Sequence, residues 1–160
     1  AVQKLRASGI KSGIINAGGN VFVLGAKPDG SPWRVGIQDP RNSENIVAAI
    51  SVTDAAVVSS GDYERYFEES GERYHHIMNP ATGKPARGVM GTTIVMNNST
   101  DADICSTLMF VLGPEKGMEL QKTLPEMDVV FINDRKEISF SDGLKGKIEF
   151  AEQEDYSINQ

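Results

Sequence analysis

Asp103 and Thr107 are the residues whose types and spacing most directly suggest chemistry. They stand four apart in a stretch, residues 100–112, with a helical pattern. They therefore share one helix face and offer a carboxylate and a hydroxyl to the same point. Hard oxygen ligands at this spacing suit Mg²⁺, which takes one or two carboxylates and completes its shell with water and substrate phosphate. A second reading fits the same residues. Thr100-Asp101-Ala102-Asp103 has the form of a capping box, with Asp103 at the third helical position and Ser99 or Thr100 as caps. On residue types alone both stand. Cys105, Leu108, Met109 and Val111 read as core.

The two histidines, His75 and His76, are adjacent in a strand pattern, so their side chains point to opposite sides. They cannot both bind one metal without distortion, and one faces a cleft while the other faces solvent. Imidazole suits proton transfer near neutral pH, although a hydrogen-bonded structural histidine would look the same. Two glycine-bearing turns could approach a phosphate. Ala17-Gly18-Gly19-Asn20 joins two apolar runs and reads either as a tight hairpin or as a backbone cradle. Ser59-Ser60-Gly61-Asp62 follows a strand and precedes a helical pattern. That is either an anion-binding helix start or simple capping by Ser60 or Asp62.

The elements that must position these groups follow from periodicity and turn signals. The chain opens on Ala-Val-Gln-Lys-Leu-Arg-Ala-Ser-Gly, the end of a helix stopped by Gly9. This start, without an initiator Met, points to the C-terminal part of a longer protein. Strands are expected at residues 12–16 and 20–25, then, after Pro28-Asp29-Gly30, at 33–38. Asp39-Pro40-Arg41-Asn42 breaks that strand, and two more follow at 46–52 and 55–59. A short helix is expected at 64–69, a strand at 73–78 ended by Asn79-Pro80, and another strand at 91–96. The helix over 100–112 stops at Gly113, and Pro114 opens a second over 115–124. Strands at 129–133, 137–141 and 148–151 precede a charged, frayed tail. Runs of strands with clustered helices predict an α+β fold, mostly antiparallel, in one domain spanning 1–160.

The totals exclude several classes. With 39% hydrophobic and 24% charged residues the chain has ordinary globular composition. A net charge of -6 with no Lys/Arg cluster argues against a nucleic-acid partner. The single Cys105 excludes an internal disulfide and a cysteine-based zinc site, and no run reaches the length of a membrane span.

Four stretches, in order, resemble motifs of the ApbE flavin transferases: Ala17-Gly18-Gly19-Asn20, Ser60-Gly61-Asp62-Tyr63, His76-Ile77-Met78-Asn79-Pro80-Ala81-Thr82-Gly83, and Ala102-Asp103-Ile104-Cys105-Ser106-Thr107. Leu112-Gly113 fits as well, so the similarity covers nearly the whole chain. The resemblance implies a T-fold-like α+β architecture with FAD in a cleft. It implies Asp103 and Thr107 as protein ligands of Mg²⁺ and His76 at the reacting centre. Gly18, Gly19, Ser60, Gly61, Tyr63, His76 and Ile77 would help hold the FAD.

The implied reaction moves FMN from FAD onto a threonine hydroxyl of a client protein, such as a subunit of a redox-driven ion pump, releasing AMP. His76 would accept the hydroxyl proton or orient phosphate. Many members carry Asp-Pro where this chain has Asn79-Pro80, which argues against Asn79 as base or ligand. Members are also longer. Their N-terminal part supplies flavin contacts, a backbone metal contact and usually an export signal. Hence the expectation of an extracytoplasmic, lipid-anchored setting, with an N-terminal piece or second chain completing the site. Two alternatives share the residues: hydrolysis of FAD to FMN and AMP, and a flavin-binding fragment without turnover.

Overall fold

The computed structural model describes residues 1–152 and 155–159. Helix α1 spans Val2–Ala7, and Gly9 follows at φ 81°, the left-handed value that ends a helix. Strands β1 (Gly13–Ala17) and β2 (Asn20–Leu24) form a hairpin. β3 (Trp33–Asp39) pairs with β4 (Asn42–Val52), and β5 covers Ala55–Gly61. β6 (Tyr66–Glu69) and β7 (Glu72–His75) form a two-stranded sheet of their own, as do the short β8 (Met78–Asn79) and β9 (Lys84–Pro85). β10 (Val89–Met96) leads into α2 (Ser99–Gln121). β11 (Asp128–Asn133), β12 (Glu137–Phe140), β13 (Ile148–Phe150) and β14 (Ser157–Asn159) complete the chain.

Seven strands in the order β1-β2-β5-β10-β11-β12-β14 make the main sheet, antiparallel except for the last pair. A three-stranded sheet, β13-β4-β3, covers one face and α2 the other. The expected α+β, mostly antiparallel fold is what forms. Alternation along β5 explains the layering. Val57 faces Ile50 and Val52 on the side of the small sheet, while Ala56 and Val58 face Ala102 and Met109 on the side of α2. A strand coated on both faces needs near-continuous apolar sequence, and Ala-Ala-Val-Val provides it.

Three expectations change. Residues 64–69 do not form a helix. Ser70 and Gly71 both take left-handed φ (52° and 80°), the two-residue turn that closes a β-hairpin. Phe67 stacks on Tyr74 at 5.1 Å across the pair. The strand expected over 73–78 is interrupted at His76 and Ile77, so β7 and β8 are separate. The tail is not frayed throughout: β14 adds in parallel to β12, and the Tyr156 hydroxyl donates to the Asp39 carboxylate at 2.6 Å. The break between two helices is present as a kink inside α2, where Gly113 lies at φ 76°, ψ 174° before Pro114.

Candidate functional site

Ser60 and Thr92 lie opposite each other near the end of β5 and the start of β10, on the face that α2 covers. The Thr92 hydroxyl donates to the Ser106 carbonyl at 2.8 Å, fixing this helical turn to the sheet. The Ser106 hydroxyl in turn donates to the Asp103 carbonyl at 2.8 Å. Its one proton being used, Ser106 must be the acceptor in its 2.8 Å contact with the Ser60 hydroxyl. Ser60 has then spent its own proton, so Thr107 donates in the 3.3 Å contact between them. This ordering leaves the lone pairs of the exposed Thr107 oxygen unused, one helical turn from an exposed Asp103. Ser106, only 1% exposed, and Thr92 hold this turn of α2 on the sheet, and residue types alone do not single either out.

The helix is capped by Asn98, whose side chain accepts from the amides of Thr100 and Asp101 at 2.9 and 3.4 Å. Asp103 sits one turn further in and is not a cap, so the capping-box reading fails. Its carboxylate has no hydrogen-bond or ion-pair partner among the described residues. Nor do three His, Cys, Asp or Glu side chains cluster anywhere among them. A cation here would rest on Asp103 and Thr107 and take its other ligands from outside the chain. That donor set, one free carboxylate and one hydroxyl oxygen, fits Mg²⁺ bound together with phosphate.

No helix starts after Ser60, so neither the helix-start nor the capping reading of Ser60-Gly61-Asp62 holds. Instead Gly61 lies under the Tyr63 ring. A Cβ at position 61 would fall 2.2 Å from Tyr63 Cε1. Burial pushes the Tyr63 hydroxyl up to about 12, with Glu64 and Asp62 adding to the effect. The Asp62 carboxylate pairs with Arg41 through two hydrogen bonds of 2.7 Å.

Gly18 and Gly19, at φ 64° and 93°, form the β1–β2 hairpin turn. Because Asn20 is opposite Val58, the turn lies at the same end of the sheet as Ser60. The Asn20 side-chain amide donates to the Ser99 carbonyl at 3.2 Å, tying the turn to the start of α2.

The two histidines have opposite surroundings, His75 ending β7 and His76 standing in the break before β8. His75 is 5% exposed. Its Nε2 lies 2.8 Å from the Ala86 carbonyl, which can only accept, so Nε2 carries the proton. Nδ1 then accepts from the Ile77 amide at 3.3 Å. Burial holds this imidazole below its ordinary value, making His75 a neutral structural residue. His76 is exposed, its Nδ1 3.3 Å from the Arg65 carbonyl. Ile77 is buried with Ala86, Val89 and Phe110, and its amide and carbonyl are both engaged, so it anchors the segment. His75 also meets the Phe110 ring edge-on at 5.4 Å. Phe110 is three residues, one helical turn, beyond Thr107. The residues on either side of His76 are thereby seated on the turn of α2 next to Thr107.

Residues 1–131 match the ApbE family. The chain is 40% identical over 157 residues to the FAD:protein FMN transferase of Treponema pallidum, covering 92% of this chain and 43% of that protein. With the Klebsiella pneumoniae protein of the same name it shares 34% over 139 residues, 86% of this chain and 42% of the other. Among solved structures, the Vibrio cholerae flavin transferase ApbE superposes with a TM-score of 0.77 at 29% identity, over 91% of this chain and 47% of that one. The Thermotoga maritima ApbE protein gives 0.72 at 34%, over 94% and 48%. The chain thus spans less than half the length of these relatives.

Proposed function

The chain belongs to the ApbE family, and from that premise we propose that it carries the cation- and phosphate-facing part of an FAD:protein FMN transferase. The observation that carries this reading is the free Asp103 carboxylate one helical turn from the exposed Thr107 oxygen, held by the Ser60–Ser106 contact. In the proposed reaction a client threonine oxygen bonds to the phosphorus next to riboflavin. The bond from that phosphorus to AMP breaks, and AMP leaves with the electron pair.

Asp103 and Thr107 would hold Mg²⁺, which supplies neutralisation of charge on the phosphate oxygens. His76, exposed beside this turn, accepts the threonine proton through the ring nitrogen not facing Arg65. The Gly18-Gly19 turn, Ser60, Gly61 and Tyr63 line the same end of the sheet and hold the flavin nucleotide. The setting is extracytoplasmic, with an N-terminal piece or second chain supplying further flavin contacts.

The test is incubation of the protein with FAD, Mg²⁺ and a threonine-bearing client, read by intact mass. A client gain of one FMN unit, lost with Asp103→Ala, supports the reading. Release of FMN and AMP with the client unchanged would replace it with FAD hydrolysis. FAD binding with no AMP released would make this a flavin-binding fragment.

A further inference from the structure

Asp62 stands between two proposed flavin-holding residues, Gly61 and Tyr63, yet its carboxylate is taken up within the protein. It is 7% exposed, and its amide donates to the Met90 carbonyl at 3.0 Å. Two arginines from separate segments converge on its carboxylate. Arg41, in the β3–β4 turn, grips both oxygens at 2.7 Å. Arg41 is itself fixed, its amide donating to Asp39 at 2.7 Å and its Nη1 to the Pro40 carbonyl at 3.0 Å. Arg73, on β7, brings Nη1 to 3.6 Å from Asp62 Oδ1.

Arg73 is otherwise fully used. Its Nε and Nη2 donate to Glu68 at 3.2 and 3.0 Å, and its guanidinium lies 3.9 Å over the Tyr66 ring. Nη1 alone is buried with no hydrogen-bond partner, so Asp62 is its electrostatic counterpart. A buried carboxylate deprived of its cations, or a buried cation of its carboxylate, is costly.

The β6–β7 hairpin needs such a tie. Among the described residues it pairs only with itself, and all four residues of β6 are exposed. Arg87, bonded to the Arg73 carbonyl and to Glu72, and His75, bonded to Ala86, hold β7 on its other side, but a two-stranded hairpin with an open strand is marginal in water. Among the described residues, Asp62–Arg73 is the ion pair that joins it to the residue following β5, the strand carrying Ser60. Arg73 lies three residues before His76 on the same strand path. We propose that Asp62 is a positioning residue: through Arg73 it sets the hairpin, and hence His76, relative to Ser60 and the Asp103–Thr107 face. The geometric part stands alone; its consequence for turnover rests on the transferase reading.

The test compares Asp62→Asn and Arg73→Gln with the unaltered chain. Amide exchange at Tyr66–Glu69 should speed up about tenfold or more in both variants, with exchange at Asp128–Asn133 unchanged. Because the chain has two histidines, the imidazole NMR spectrum isolates His76, whose resonance should shift. In the FMN-transfer assay kcat should fall about tenfold with KM for FAD held within about twofold. Should Asp62→Asn fail to fold, Arg73→Gln decides, since it leaves the Asp62–Arg41 pair intact. Hairpin exchange unchanged, or acceleration spread evenly through the sheet, overturns the proposal. So does a loosened hairpin with kcat unaltered. An unaltered protein with no transfer activity would sink the transferase reading, while hairpin exchange would still decide the tie.

Discussion

The hydroxyl oxygens of Ser60 and Ser106 lie 2.8 Å apart, and this contact orders every proton in the cluster around it. Ser106 gives its proton to the Asp103 carbonyl, Ser60 to Ser106, and Thr107 to Ser60. The direction is dictated by the carbonyl at one end, which can only accept.

Ser106→Ala should therefore cost more than a surface serine. It leaves the half-buried Ser60 hydroxyl without its acceptor and removes the bond to the Asp103 carbonyl, at about 1 kcal/mol. The Thr92 bond, made to the Ser106 backbone carbonyl, survives the change. Urea unfolding measures the loss. A cost below about 0.5 kcal/mol, the usual surface value, would mean the chain of donors is not structural.

Asn98→Ala and Asp103→Ala separate capping from ligation. Loss of the Asn98 cap should cost about 1 kcal/mol, whereas Asp103→Ala should change stability by less than about 0.5 kcal/mol. In calorimetric titration with Mg²⁺ and FAD the order reverses, Asp103→Ala losing cation-dependent binding and Asn98→Ala retaining it. Equal destabilisation by the two changes would return Asp103 to the helix start.

Gly61→Ala should destabilise by about 1–3 kcal/mol through overpacking, because the new methyl meets the Tyr63 ring. Gly18→Asn should stay near neutral. Nothing lies within 4 Å of a Cβ there, and asparagine tolerates the positive φ of this turn. Thermal unfolding of the two variants gives the comparison. Equal costs would show that Gly61, like Gly18, is kept for its backbone alone.

Acidification should weaken the fold through His75. Its folded value lies below the ordinary 6.5, chiefly through burial; Arg87 and His76 push the same way, and the Ala86 carbonyl and Asp62 oppose. The unfolded chain therefore takes up a proton that the folded chain refuses. The contribution is complete above 6.5 and is lost as pH falls through that value toward the folded one. His75→Gln, which keeps a donor for Ala86, should flatten the slope of unfolding free energy between pH about 7.5 and about 5.5. An unchanged slope would assign it to other groups.

Much of this was legible in the sequence. The glycine hairpin, the β5 run, the split at Gly113-Pro114 and the shared face of Asp103 and Thr107 follow from spacing and turn chemistry. The β6–β7 hairpin was missed although Tyr-Phe-Glu-Glu and Glu-Arg-Tyr-His flank a Ser-Gly turn, a pattern that charge-rich helix propensity obscured. Asp62 resembled a cap because its partners, Arg41 and Arg73, lie 21 and 11 residues away in opposite directions. Tail pairing on β12 was invisible for a related reason: Tyr156 meets Asp39 across 117 positions. Such contacts exist only once the sheets have assembled.

His75 and His76 are neighbours in sequence with opposite surroundings. His75, the last residue of β7, is packed against Ala86 and Phe110, while His76, the first residue past the strand, is given to solvent. Adding or deleting one residue between Tyr66 and His75 would exchange their surroundings, burying the ring proposed for proton transfer and exposing its structural neighbour. The length of this small hairpin is thus itself a constraint on the chemistry, beside the outward side chains of Tyr66 and Glu68 that hold Arg73.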